Sequence, residues 1–211
     1  MESDNNISCK VVLVGDAGAG KTSIITYFLS NVFSEEIPST ISATYNYKVL
    51  EFKRYNKSLS LDIWDTAGQE IYRSMSKNFY VNAAIGILVY DIRRKDSFDS
   101  VKNYWYEQLK ESGEENMIIG IAGNKSDLFE YEQVSEEEVK EFAKKVGAIF
   151  QLTSCKKGHG INELFRKCGE KYLKNNNYIE VNDKGKNVKL KLEKEKNKEN
   201  KTEHNKKAKC C

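Results

Sequence analysis

One stretch limits what this chain can become. Gly15-Asp16-Ala17-Gly18-Ala19-Gly20-Lys21-Thr22 fits G-x-x-x-x-G-K-[ST] and comes directly after the apolar run Val11 to Val14. A strand that breaks into a glycine loop and then opens a helix turns successive backbone N–H groups inward, making a cradle for phosphate oxygens. Lys21 brings a mobile positive charge to the β- and γ-phosphates, and the Thr22 hydroxyl is placed to ligate Mg²⁺. Glycine turns between strands and helices are common in α/β proteins, but four fixed positions in this strand-loop-helix setting seldom coincide by chance. The pattern predicts a nucleoside triphosphate site and leaves the base open.

With 211 residues, the chain suits one globular domain and a remainder. Its longest apolar run, Ala83 to Tyr90, is far short of the roughly 18 residues that span a bilayer. The start, Met-Glu-Ser-Asp-Asn-Asn, lacks the basic and apolar regions of a signal peptide, and Glu2 is not the glycine that myristoylation needs. A cytosolic chain is expected. Cys9, Cys155 and Cys168 have no metal-ligand spacing and read as reduced thiols, while Cys210 and Cys211 close the chain. From Asn175 onward there are eleven Lys against six Asp plus Glu, so this tail carries +5 and the rest −2 of the net +3.

The order of elements comes from periodicity. Ser8 to Val14 reads as a buried strand and Lys21 to Asn31 as a helix with Ile24, Ile25 and Phe28 inward. Val32 to Thr44, which holds the only proline, Pro38, reads as a long loop, and connections of that length are usually functional. Tyr45 to Phe52 and Leu59 to Trp64 predict an antiparallel hairpin turning at Asn56-Lys57. Ala83 to Asp91 and Met117 to Ala122 are continuous apolar strands, as sheets covered on both faces require. Ser97 to Glu111 reads as one helix with Phe98, Val101, Trp105 and Leu109 in the core, and after it come helix Ser135 to Val146, strand Ala148 to Thr153 and helix Ile161 to Leu173. Six strands separated by helices predict a mostly parallel sheet with one antiparallel edge.

Three further motifs fall just after strands, where an open α/β sheet presents its ligand chemistry. Trp64 leads into Asp65-Thr66-Ala67-Gly68-Gln69-Glu70. Asp65 is a second Mg²⁺ anchor, through water; Gly68 lets the backbone approach a γ-phosphate, and the Gln69 amide can orient an attacking water. Alone, that hexapeptide would read as a helix start capped by Asp65 or Thr66. Gly123-Asn124-Lys125-Ser126-Asp127 would alone be a surface turn, but here Asp127 can accept two hydrogen bonds from guanine N1–H and its exocyclic amine, which adenine cannot supply. In Thr153-Ser154-Cys155-Lys156 a backbone N–H is placed to meet the guanine carbonyl.

From about Cys9 to Lys174 these residues resemble the Ras superfamily of small GTPases and, within it, the Rab family. GDAGAGKT, WDTAGQE, GNKSD and TSCK match its nucleotide motifs in order and spacing. Trp64, YRSMSKNFY, LVYDI and the terminal Cys-Cys carry the Rab resemblance, and Asn103-Tyr104-Trp105 with Ala122-Gly123-Asn124-Lys125-Ser126-Asp127-Leu128 is similar to the early-endosomal branch. The resemblance implies a P-loop NTPase small G domain over 1–174, α/β, with helices on both faces of the sheet. It implies GTP/GDP and Mg²⁺ as ligands, with slow hydrolysis, on the order of 10⁻⁴ per second, that an activating protein raises by about 10⁵. Thr40 matches the switch threonine that joins Mg²⁺ and senses the γ-phosphate, and Phe33 the ring on the guanine face. The nucleotide set so implied is Asp16, Ala17, Gly18, Ala19, Gly20, Lys21, Thr22, Ser23, Phe33, Thr40, Gly68, Asn124, Lys125, Asp127, Leu128, Ser154, Cys155 and Lys156. Thr22, Thr40 and Asp65 take the metal, and Gln69, Lys21 and Thr40 the chemistry.

Partners implied are exchange factor, activating protein, escort or dissociation inhibitor, and effectors, through 34–45 and 66–80; nucleic acid is not among them. Five positions depart from the family: Ala17 for the glycine of Ras, Ser42 for a glycine, Tyr45 for the phenylalanine and Phe79 for the tyrosine of an effector-facing trio that keeps Trp64, and Cys155 for an alanine. They touch rate and partner choice. Residues 175–211 are too polar to bury a core and read as a basic disordered tail, with Val188-Lys189-Leu190-Lys191-Leu192 as a docking strip. Cys210 and Cys211 resemble the double geranylgeranylation signal, two lipids being what stable anchoring requires. The expected location is the cytoplasmic face of endosomal membranes, cycling with a cytosolic pool. Two other classes compete. A nucleoside kinase would need an Arg-rich lid, which this chain lacks; a nucleotide-locked scaffold is opposed by Gln69 and favoured by Ala17. No arginine finger of its own is evident.

Overall fold

The structure, a computed structural model, describes residues 6–36, 38, 40, 43–66 and 79–179. Six strands are seen among them: β1 Asn6–Val14, β2 Thr44–Phe52, β3 Lys57–Asp65, β4 Ile85–Asp91, β5 Ile118–Asn124 and β6 Ile149–Leu152. They lie in the order β2-β3-β1-β4-β5-β6. Only β2 with β3 is antiparallel; the other neighbours run parallel. The expected sheet with one antiparallel edge is therefore present. Every residue of β4 and β5 is buried, which is why both read as unbroken apolar runs, whereas edge strand β2 alternates.

Because successive side chains of a strand point to opposite faces, β1 feeds two cores. Val11 and Leu13 pack with helix α1 (Lys21–Ser30) and helix α5 (Ile161–Asn175), where the Phe28 and Phe165 rings stack 3.8 Å apart. Val12 and Val14 face α2 (Lys95–Ser100), α3 (Tyr106–Ser112) and α4 (Glu136–Val146). Helix α4 shows why its ends were legible: Ser135 accepts from the Glu138 N–H, Glu136 to Glu138 fill the first turn, and Gly147 leaves it at φ 68°.

Three expectations are corrected in detail. The hairpin turns through one 3₁₀ turn, Lys53–Tyr55, and Asn56 at φ 48°, so Lys57 already pairs with Phe52. Asparagine tolerates that left-handed conformation. The single helix expected over Ser97 to Glu111 starts at Lys95 and is interrupted by a wide turn, Val101–Trp105, in which the Tyr106 N–H bonds back to the Val101 carbonyl. Phe98, Val101, Trp105 and Leu109 are all fully buried, as a straight helix would also require, so their spacing does not reveal the wide turn. Past residue 174 the chain still packs: the Tyr178 N–H bonds the Leu173 carbonyl and Ile179 is buried. The described residues include no helix long and apolar enough to cross a membrane. Gly68, Gln69, Cys210, Cys211 and the strip Val188 to Leu192 lie outside them.

Candidate nucleotide and metal site

The ends of β1, β3 and β5 and the loop after β6 open on one edge of the sheet, around a cleft of about 350 Å³. From the expected set, the cleft wall holds Ala17, Gly18, Gly20, Lys21, Thr22, Ser23, Phe33, Thr40, Asn124, Lys125, Asp127, Leu128, Cys155 and Lys156. It adds Ser34, Glu35 and Pro38, which the sequence left in an undivided loop. Asp16, Ala19 and Ser154 support the wall through hydrogen bonds of their own.

The phosphate loop is held by its carbonyl groups. Lys21 Nζ donates to Gly15 O (2.8 Å) and Asp16 O (3.1 Å), Arg94 Nη1 to Ala17 O (3.2 Å), Lys125 Nζ to Gly18 O (2.7 Å) and Asn124 Nδ2 to Ala19 O (2.8 Å). Carbonyls tied from outside turn the N–H groups of a glycine loop to the other side, as anion cradles require. Gly20, at φ 96°, starts α1 without a side-chain cap, and no acidic residue occupies the first turn. The positive end of the helix is left for an anion. Burial pushes the Lys21 ammonium down to about 8, against the pull of Asp65 and Asp16. A buried cation of this kind favours an anionic ligand.

Three side-chain oxygens converge beside Lys21. Thr22 Oγ1 donates to Asp65 Oδ2 at 2.7 Å and lies 2.7 Å from Thr40 Oγ1. Asp65 is 2 % exposed, and its Oδ1 is a buried acceptor with no hydrogen-bond partner among the described residues. Burial raises the Asp65 carboxyl, with the Thr22 hydrogen bond and the Lys21 charge working the other way. A set of hydroxyls and a carboxylate with an unmet acceptor fits a hard divalent cation. Bound there, Mg²⁺ would neutralise phosphate charge.

At the other end, Ser154 Oγ donates to Asp127 Oδ1 at 2.6 Å, which leaves the second carboxylate oxygen for a ligand. Thr153 Oγ1 donates to Asn124 Oδ1 at 3.2 Å, orienting the amide that holds Ala19. Cys155 lies in the wall as a buried thiol that desolvation pushes up to about 12, so it is inert packing. Lys156 pairs with Glu35 at 3.0 Å across the mouth. Sequence reasoning missed Asp91, which is fully buried and binds Lys125 at 2.8 Å and Arg93 at 2.8 Å. A lone acidic residue closing the apolar run of β4 was the available signal. It also missed Arg94 and Trp105 as holders of the loop. On the outer face, Tyr45 is 55 % exposed, donates to Asp62 Oδ1 at 2.6 Å and stands edge-on to Trp64, which neighbours Phe79.

A family model described as Ras family matches residues 10–174. The chain is 40% identical to the Ras-related protein Rab-22A of Homo sapiens over 156 residues, covering 74% of this chain and 79% of that protein. It is 41% identical to Rab-31 of Mus musculus over 157 residues (74% and 79%). To Rab5 of Nicotiana tabacum it is 38% identical over 161 residues (76% and 79%). The chain belongs to the Ras family and, within it, to the early-endosomal branch of the Rab small GTPases, which bind GTP with Mg²⁺, hydrolyse it and act as switches in endocytic membrane traffic.

Proposed function

We propose a division of labour within the cleft. The loop from Asp16 to Lys21 binds the phosphates, Thr22, Thr40 and Asp65 hold the cation, and Asp127 selects guanine while Phe33 and Lys125 cover it. The supporting observation is that Thr22 Oγ1, beside the buried Lys21, lies 2.7 Å from both Thr40 Oγ1 and Asp65 Oδ2, residues distant from it in sequence. Thr40 belongs to the loop before β2 and Asp65 begins the segment that holds Gly68 and Gln69. A γ-phosphate therefore draws both loops to one centre, and its loss releases them. Gln69 positions the attacking water. Residues 34–45 and 66–80 are the surfaces that report this state to effectors, exchange factor and activating protein.

A polar tail beyond the packed Ile179, the lipid anchor on Cys210 and Cys211, the cytoplasmic membrane face and the exchange with a cytosolic pool through an escort protein belong to the same reading. One lipid chain binds marginally and two bind stably, and the net +5 of the tail adds attraction to an anionic leaflet. Single-turnover hydrolysis tests the chemical part. Gln69→Leu should keep GTP but lose stimulated hydrolysis, and an unchanged stimulated rate refutes the role. Localisation tests the anchor: the Cys210→Ser, Cys211→Ser double variant should leave endosomal membranes for the cytosol, and one that stays on membranes contradicts it.

A further inference from the structure

The wide turn in the middle of the helical segment 95–112 has a consequence at the phosphate loop. Its Tyr106-to-Val101 bond spans five residues instead of four, so the turn takes up one extra residue and rotates the later side chains by about 100° around the axis. Trp105, the last residue of that turn, is fully buried, and its indole Nε1–H donates to Asp16 Oδ1 at 2.8 Å across 89 residues of sequence. Asp16 is the residue whose carbonyl receives both Lys21 Nζ and the Ala19 N–H, at 3.1 and 3.3 Å. Arg94, just before the same helical segment, bonds the next carbonyl, Ala17 O. One segment thus grips the loop at two consecutive residues, through Trp105 at Asp16 and Arg94 at Ala17.

We propose that Trp105 is a positioning residue for the phosphate loop: by fixing the Asp16 carboxylate it holds the turn from Asp16 to Ala19 and the resting place of Lys21, and so slows release of bound nucleotide. This rests on the nucleotide reading above. A neutral donor to a half-buried carboxylate is a charge-assisted bond, stronger than most, and its loss falls on a loop whose other face meets the ligand. The loop then spends more time in conformations that do not close on phosphate.

The test is the release rate of a fluorescent GDP analogue from the full chain with Mg²⁺ present. Trp105→Phe, which keeps an aromatic ring and removes the donor, should release about tenfold faster, and Asp16→Ala should match it. Asp16→Asn, which keeps an acceptor oxygen, should fall closer to wild type than Asp16→Ala. The Trp105→Phe, Asp16→Ala double variant should be no faster than either single one, as partners in one interaction require. Phe98→Leu, a buried change in the same cluster away from the loop, serves as the stability control. Additive single effects, a wild-type rate in Trp105→Phe, or an acceleration no larger than Phe98→Leu gives at equal loss of melting temperature would overturn the proposal. If the wild-type chain retained no guanine nucleotide, the nucleotide reading itself would fall, and this inference with it.

Discussion

Lys125 is suspended between Asp91, whose Oδ2 lies 2.8 Å from its Nζ, and the Gly18 carbonyl, to which it donates at 2.7 Å. A cation ties the buried end of β4 to the phosphate loop, and its own backbone sits at φ 64°. Lys125 thus takes part in the wall of the cleft and in the stability of the fold.

Acid should therefore attack the fold through Asp91. Burial pushes its carboxyl up, but hydrogen bonds from Arg93 and Lys125 outweigh this and hold it down at about 2, below the ordinary 3.8. A carboxylate with a lowered folded pKa contributes stability that is complete above its ordinary value and is lost as the pH falls through the folded one. Melting temperature should decline between pH about 4 and 2. Asp91→Asn should melt lower at neutral pH and show a shallower acid decline. Parallel curves for the two proteins would contradict the assignment.

The glycines of the loop should differ sharply. A Cβ on Gly15, at φ 148°, collides with the Val89 carbonyl oxygen of β4, whereas one on Gly18, at φ 74°, meets nothing within 4 Å. Gly18→Ala should cost only the left-handed conformation, about 1 kcal/mol. Gly15→Ala adds a backbone clash and should cost about 3 kcal/mol or more, enough to lower the melting temperature by about 10 °C. Equal losses in chemical denaturation would refute the distinction.

Much of this was open to sequence reasoning, because the motifs require particular residue types at fixed places. The turn at Gly20, at φ 96°, asks for glycine, and the continuous runs of β4 and β5 follow from burial on both faces. The wide turn was not legible, since Phe98, Val101, Trp105 and Leu109 satisfy a straight helix equally well. Nor were the bonds of Arg94 to Ala17 and of Asp91 to Lys125, because those pairs lie 77 and 34 residues apart and no local pattern encodes such a meeting. Tyr45 was legible as an exposed aromatic, but its bond to Asp62 depends on the β2–β3 register, which pairs Tyr45 with Trp64 and Tyr47 with Asp62.

The cation should govern nucleotide retention through Thr22 and Asp65. Chelation of Mg²⁺ should speed release from the wild type by about tenfold or more. Asp65→Ala removes both carboxylate oxygens and should release quickly even with Mg²⁺, so that chelation adds little. A full chelator response in Asp65→Ala, read by the same fluorescent analogue, would show that the cation binds elsewhere.

Base selection gives the most direct trial of the whole arrangement. In competition against a labelled guanine nucleotide, the wild-type chain should bind GTP and GDP in preference to ATP and xanthosine triphosphate. Asp127→Asn should lose GTP by at least about a hundredfold and gain xanthosine triphosphate, since the amide reverses the donor pattern that Asp127 presents. If Asp127→Asn leaves the preference for GTP unchanged, the cleft between Lys21 and Asp127 is not the guanine nucleotide site.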